Sequence, residues 1–78
     1  MSAIRKLNQE LNELILENIN NVIKEKGFSI REIAKHLGID YSMAWRILHG
    51  KRRLKPEHIA EIAYLTHRTP NDFFYAKD

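Results

Sequence analysis

The chain has 78 residues, 13 of them Lys or Arg against 10 Asp or Glu, for a net charge of +3 with no cysteine. That length allows one domain burying about three-fifths of its unfolded surface, so helices around a single core are the economical architecture. The composition excludes disulfides and thiolate metal sites, and no apolar run approaches the roughly twenty residues of a membrane-spanning helix. The start, MSAIRKLNQE, lacks the apolar core of a secretory signal. The expected location is therefore the cytoplasm.

Met1 to Lys6 reads as a frayed, basic start carrying Arg5 and Lys6. From Leu7 a helical stripe begins: Leu7, Leu11, Leu14, Ile15, Ile19, Val22 and Ile23 recur at spacings of three and four. Glu10, Asn12, Glu13, Glu17 and Asn20 take the outer side. Lys24 and Lys26 sit where cations favour the helix dipole, and Gly27 ends the helix. Leu7, Leu11 and Leu16 extend past a small core. They meet either a partner or the chain's own C-terminal segment.

Phe28 anchors the next element. Ser29 and Glu32 form a capping box. Ile30, Ile33, Ala34 and Leu37 then supply a short apolar stripe, and Gly38 closes it because a left-handed backbone costs glycine nothing. Ile39 plugs the corner. Asp40 caps a second short helix. Ala44, Ile47 and Leu48 face inward on it, whereas Tyr41, Ser42, Met43, Trp45, Arg46 and His49 do not. Gly50 stops it.

Gly50 to Lys55 is a loop whose one apolar residue, Leu54, turns inward. From Arg46 to Lys55 the charges are Arg46, Lys51, Arg52, Arg53 and Lys55, with no acid among them. Pro56 starts a helix at the position that needs no N–H. Its buried side is Ile59, Ile62, Ala63 and Leu65, and it ends near Thr66 and His67. Thr69, Pro70 and Asp72 start a fifth helix, and Phe73, Phe74 and Tyr75 close the core or form an interface. No repeat or linker divides residues 1–78, which read as a complete single domain.

The pair of helices over 29–50 resembles the helix-turn-helix of the lambda-repressor/Cro-like (XRE) DNA-binding family. Ser29, Ile33, Ala34, Leu37, Gly38, Ile39, Ile47 and Gly50 carry the resemblance, which covers roughly residues 8–75. It implies an all-α, five-helix fold. It also implies that the helix over 41–49 enters the major groove, about 12 Å wide, while the preceding helix crosses the backbone. Carried over by position, the base-reading residues are Tyr41, Ser42, Met43, Trp45 and Arg46. Phosphate contacts fall to Ser29, Ile30 and Arg31 at one end. At the other end they fall to His49, Lys51, Arg52, Arg53 and Lys55. The chain departs from the family at Ile30, where many relatives have glutamine, and at Leu48, where glutamic acid is common. It departs again at Ala44, where a branched apolar residue is usual. Trp45 either lies against the nucleic acid or folds back into the space beside Ala44.

The four histidines, His36, His49, His58 and His67, are never three or four residues apart, so no helix face presents a ligand pair. No nucleophile constellation or phosphate-cradling glycine loop is visible. Glu57 and Glu61 read as solvated charge. The expectation is a non-enzymatic regulator without cofactor or metal: a repressor of phage or mobile-element type that binds double-stranded DNA as a homodimer. Its interface would involve Phe73, Phe74 and Tyr75, or Leu7 and Leu11. Two alternatives use the same fold, an antitoxin that represses its own promoter and a protein-interaction module without DNA binding.

Overall fold

The apolar stripe on the first helix sets the architecture, because four of its residues, Ile15, Ile19, Val22 and Ile23, supply nearly half of the core. In the computed structural model, which describes residues 2–75 and their side chains from Leu7 onward, this helix is α1, Ser2–Lys26. It therefore begins before Leu7, and the frayed start expected for Met1–Lys6 is replaced by helix from Ser2; Met1 lies outside the described residues. There follow α2, Ile30–Leu37; α3, Tyr41–Leu48; and α4, Pro56–Thr66. A single 3-10 turn, Pro70–Phe73, comes last. Among the described residues there is no strand, and no helix is long and apolar enough to cross a membrane.

Ile15, Ile19, Val22 and Ile23 of α1 meet Ile33 of α2, Leu48 of α3, Ile62 and Ala63 of α4, and Phe73. Small residues set the crossing of the motif helices: Ala34 and Ala44 are both buried, which lets α2 and α3 approach closely. Half-buried Phe28, Ile30, Leu37, Leu54, Ile59 and Leu65 seal the core's edge. Thr66 is also fully buried; its hydroxyl donates to the Ile62 carbonyl at 2.7 Å, so its polarity is absorbed within its own helix.

All four α-helices stop by the same device. A residue just past the end turns left-handed (Gly27, Gly38 and His67 directly after α1, α2 and α4, and Gly50 one residue beyond His49 after α3), and two amides reach back to carbonyls of the last turn. At the end of α2, Gly38 has φ 71°, its N–H donates to Lys35, and that of Ile39 donates to Ala34. At the end of α4 the same place is held by His67, with φ 59°, where a Cβ makes the conformation costlier.

Among the described residues the expected fifth α-helix is a single 3-10 turn, Pro70–Phe73. Thr69, Pro70 and Asp72 start it as expected, with the Thr69 N–H donating to Asp72 Oδ2 at 3.0 Å. At and just beyond its end the carbonyls of Phe73 and Tyr75 each accept from Asn18 Nδ2 at 2.8 Å. These bonds fasten the segment to α1.

Candidate nucleic-acid interface

Eight residues make α3 a two-faced rod. Asp40 caps it, its Oδ1 accepting from the Met43 N–H at 2.7 Å. Ala44, Ile47 and Leu48 are buried beneath. On the opposite side Tyr41, Ser42, Trp45 and Arg46 are exposed, with Met43 half-buried at the edge. All five expected base-reading residues thus lie off the inner side of one short helix.

The rod is held at both ends. The Leu48 carbonyl accepts from Asn20 Nδ2 at 2.9 Å, and that same amide donates to the Leu16 carbonyl at 2.9 Å. Sequence reading placed Asn20 on a solvated face; an exposed asparagine one helix away carries no local sign of this cross-helix bond. At the other end, the Arg31 guanidinium carbon lies 5.8 Å from the centre of the Tyr41 ring. This cation–aromatic contact joins the start of α2 to the start of α3.

Two tight bonds fold the basic loop back on α3. The N–H groups of Lys51 and Arg52 both donate to the Arg46 carbonyl, at 2.7 and 3.2 Å. As a result Arg52, Arg53 and Lys55 share a shallow cleft of about 240 Å³ with Met43, Ile47 and His58. Arg52, Arg53 and Lys55 therefore stand beside the Met43–Ile47 edge of the rod, whereas Lys51 lines the groove on the α1 side. Arg52 and Arg53 also border a second groove, on their α1 side.

Trp45 does not fold back into the space beside Ala44. Its ring stacks on that of His49, centroids 3.9 Å apart and planes 12° from parallel. The His49 Nδ1 is 2.9 Å from the Trp45 carbonyl oxygen. The space beside Ala44 is closed by other groups, and Trp45 stays 38% exposed. His49 is thereby occupied as a stacking partner, next to the loop.

The start of α2 is a weaker anion grip than the loop. Its capping box is complete: Ser29 Oγ accepts from the Glu32 N–H at 3.1 Å, and Glu32 Oε1 accepts from the Ser29 N–H at 2.9 Å. These bonds, the backbone one first and then that of the hydroxyl, hold the Glu32 carboxyl below the usual glutamate range. A carboxylate thus already sits at the positive end of the α2 dipole, opposing a phosphate there. The amides of Ile30 and Arg31 lie outside the box, and the Ile30 side chain packs on the core.

The expected interface residues divide. Phe73 is fully buried, and its burial against α1 and α4 removes it from any docking surface. Phe74, Tyr75, Leu7 and Leu11 are 39%, 70%, 65% and 42% exposed. Glu61, read as solvated, lies 3.3 Å from His36 Nε2, whose ring stacks on Tyr64. His58 caps α4, its Nδ1 accepting from the Lys55 N–H at 3.2 Å. No group of three metal-ligating side chains occurs among the described residues. No protein-family model matches the chain, and no curated protein or solved structure does so either.

Proposed function

We propose that this chain is a sequence-specific double-stranded DNA-binding regulator of the helix-turn-helix class, reading the major groove with α3. One observation carries the reading. A capped helix presents Tyr41, Ser42, Trp45 and Arg46 outward while a cation loop is tied to its C-terminal turn. An α-helix fits the major groove in width, and flanking cations neutralise phosphates on either side. Arg46 suits bidentate contact with guanine; Ser42 donates or accepts; Tyr41 and Met43 offer apolar surface to thymine methyls. Arg31, Lys51, Arg52, Arg53 and Lys55 supply the grips.

The residues that depart from the resembled family support this reading more than the protein-interaction alternative. Ile30 and Leu48 are spent on the core, so neither forms an exposed apolar patch. In the cell the regulator acts as a repressor, covering a promoter that contains its site. The test is selection of bound fragments from a random duplex pool at fixed salt, using the full chain. An enriched motif with binding that weakens steeply as salt rises supports the reading. No enrichment, or affinity indifferent to salt, refutes it.

A further inference from the structure

The basic loop has two sides. Arg52 and Arg53 border both the cleft beside α3 and a larger groove of about 650 Å³ beside α1; of the two, Lys51 borders only the groove and Lys55 only the cleft. The loop backbone cannot swing to serve them by turns, because the N–H groups of Lys51 and Arg52 are tied to the Arg46 carbonyl. The choice falls to the side chains. Among the described residues none of these cations has an acidic partner; the two ion pairs are His36 with Glu61 and Arg68 with Glu25.

The groove is not a phosphate track. Its floor is Leu11, Ile15, Leu16, Leu54 and Phe74, with Leu11 42% and Phe74 39% exposed. No acid lines it: its α1 wall carries uncharged Asn12, whereas Glu13 lines an adjoining hollow with Asn8 and Gln9. A nucleic-acid backbone gains nothing from an apolar floor. The ligand that fits covers apolar surface and carries negative charge along one edge. Three cations on successive residues call for several anionic groups, and a single carboxylate head leaves two of them unmet. A segment of another protein with apolar side chains on one face and Glu or Asp beside them meets both demands.

We propose that this groove docks an acidic amphipathic segment of a partner protein, and that partner and duplex compete for Arg52 and Arg53. The docking stands on the groove alone; the competition rests on the function proposed above. A carboxylate that draws either guanidinium to the α1 side takes a phosphate grip from the α3 side, so each ligand weakens the other by the same factor. Release from DNA is thereby coupled to capture by the partner.

The test selects a displayed library of random peptides against the full chain; the winning peptide is then synthesised with a fluorescent label. The expected winner carries Glu or Asp beside Leu, Ile or Phe at helical spacing, and its scrambled sequence does not bind. Leu11→Glu weakens it about tenfold or more, since a floor leucine is replaced by a like charge. Circular dichroism verifies that this variant stays folded. Lys51→Glu weakens the peptide at least about threefold more than Lys55→Glu, which changes net charge equally but on the far side of the loop, where salt screens it. Saturating peptide lowers affinity for the selected duplex about tenfold or more, through the two lost phosphate grips. No acidic winner, or a winner indifferent to Leu11→Glu and Lys51→Glu, overturns the docking. Self-association that Leu11→Glu abolishes, seen by sedimentation equilibrium, gives the groove to a second copy and overturns it as well. Peptide and duplex bound together without mutual weakening overturn the competition. If no duplex is selected, the proposed function falls, while the peptide measurements still decide the docking.

Discussion

Asn18 is the sharpest test of how this fold is held. It is 4% exposed, on a helix face otherwise made of isoleucine and valine, and its Nδ2 donates to the carbonyls of Phe73 and Tyr75 at 2.8 Å each. Asn18→Ala removes two hydrogen bonds and leaves the buried Phe73 carbonyl without its donor. A net hydrogen bond contributes about 1 kcal/mol, and stranding a buried acceptor costs about 1–3 kcal/mol, so the expected loss is roughly 2–4 kcal/mol. In a domain of this size, that lowers Tm by roughly 10–30 °C. Asn18→Asp keeps the shape but turns a donor into a carboxylate facing two carbonyl oxygens, and should destabilise more than alanine at neutral pH. Urea unfolding followed by circular dichroism measures both. An alanine variant within about 0.5 kcal/mol of the parent, the range of an ordinary surface change, refutes the reasoning. So does an aspartate variant more stable than alanine.

Arg46→Ala should relax preference at one base pair of the selected site, by about 1–3 kcal/mol of discrimination; competition between duplexes altered one position at a time reads this. Arg52→Ala with Arg53→Ala should leave sequence preference intact and flatten the salt dependence, with the log–log slope falling by about 0.9 for each lost phosphate contact. Titrations over a salt series give that slope. Glu32 titrates below the usual glutamate range in the folded chain because of Ser29. The capping contribution of its charge is thus complete above the unfolded-state glutamate pKa and is lost as pH falls through the lowered folded value. Glu32→Gln should remove that part of the acid-side loss of stability, measured as unfolding free energy against pH.

Much of the local structure was legible because its causes lie within a turn of the chain. Ser29 with Glu32, Asp40, and Thr69 with Pro70 and Asp72 mark helix starts by bonds spanning three residues. Gly27, Gly38 and Gly50 mark ends through a conformation intrinsic to one residue. Periodicity likewise identified Ala44, Ile47 and Leu48 as the inner side of α3, and with them the outer residues of the candidate site.

Other features depend on partners distant in sequence. Phe73, Phe74 and Tyr75 look equivalent in a row, yet only Phe73 is buried, because α1 and α4 converge there. Asn20 reads as an outer position on α1 and nothing nearby in the sequence marks Asn18, yet Asn18 binds residues more than fifty positions away and Asn20 holds the end of α3. His67 takes a left-handed turn that nothing in its residue type announces. The segment after Thr69, read as a fifth helix, is one 3-10 turn among the described residues, fastened to α1 through Asn18. What the sequence determined by itself is where α2, α3 and α4 start, where all four α-helices stop and which way they turn their apolar sides, since those follow from short-range sterics and hydrogen bonds. Which residues are buried, and which cations stand beside α3, was decided only when distant segments competed for the same space and the same bonds.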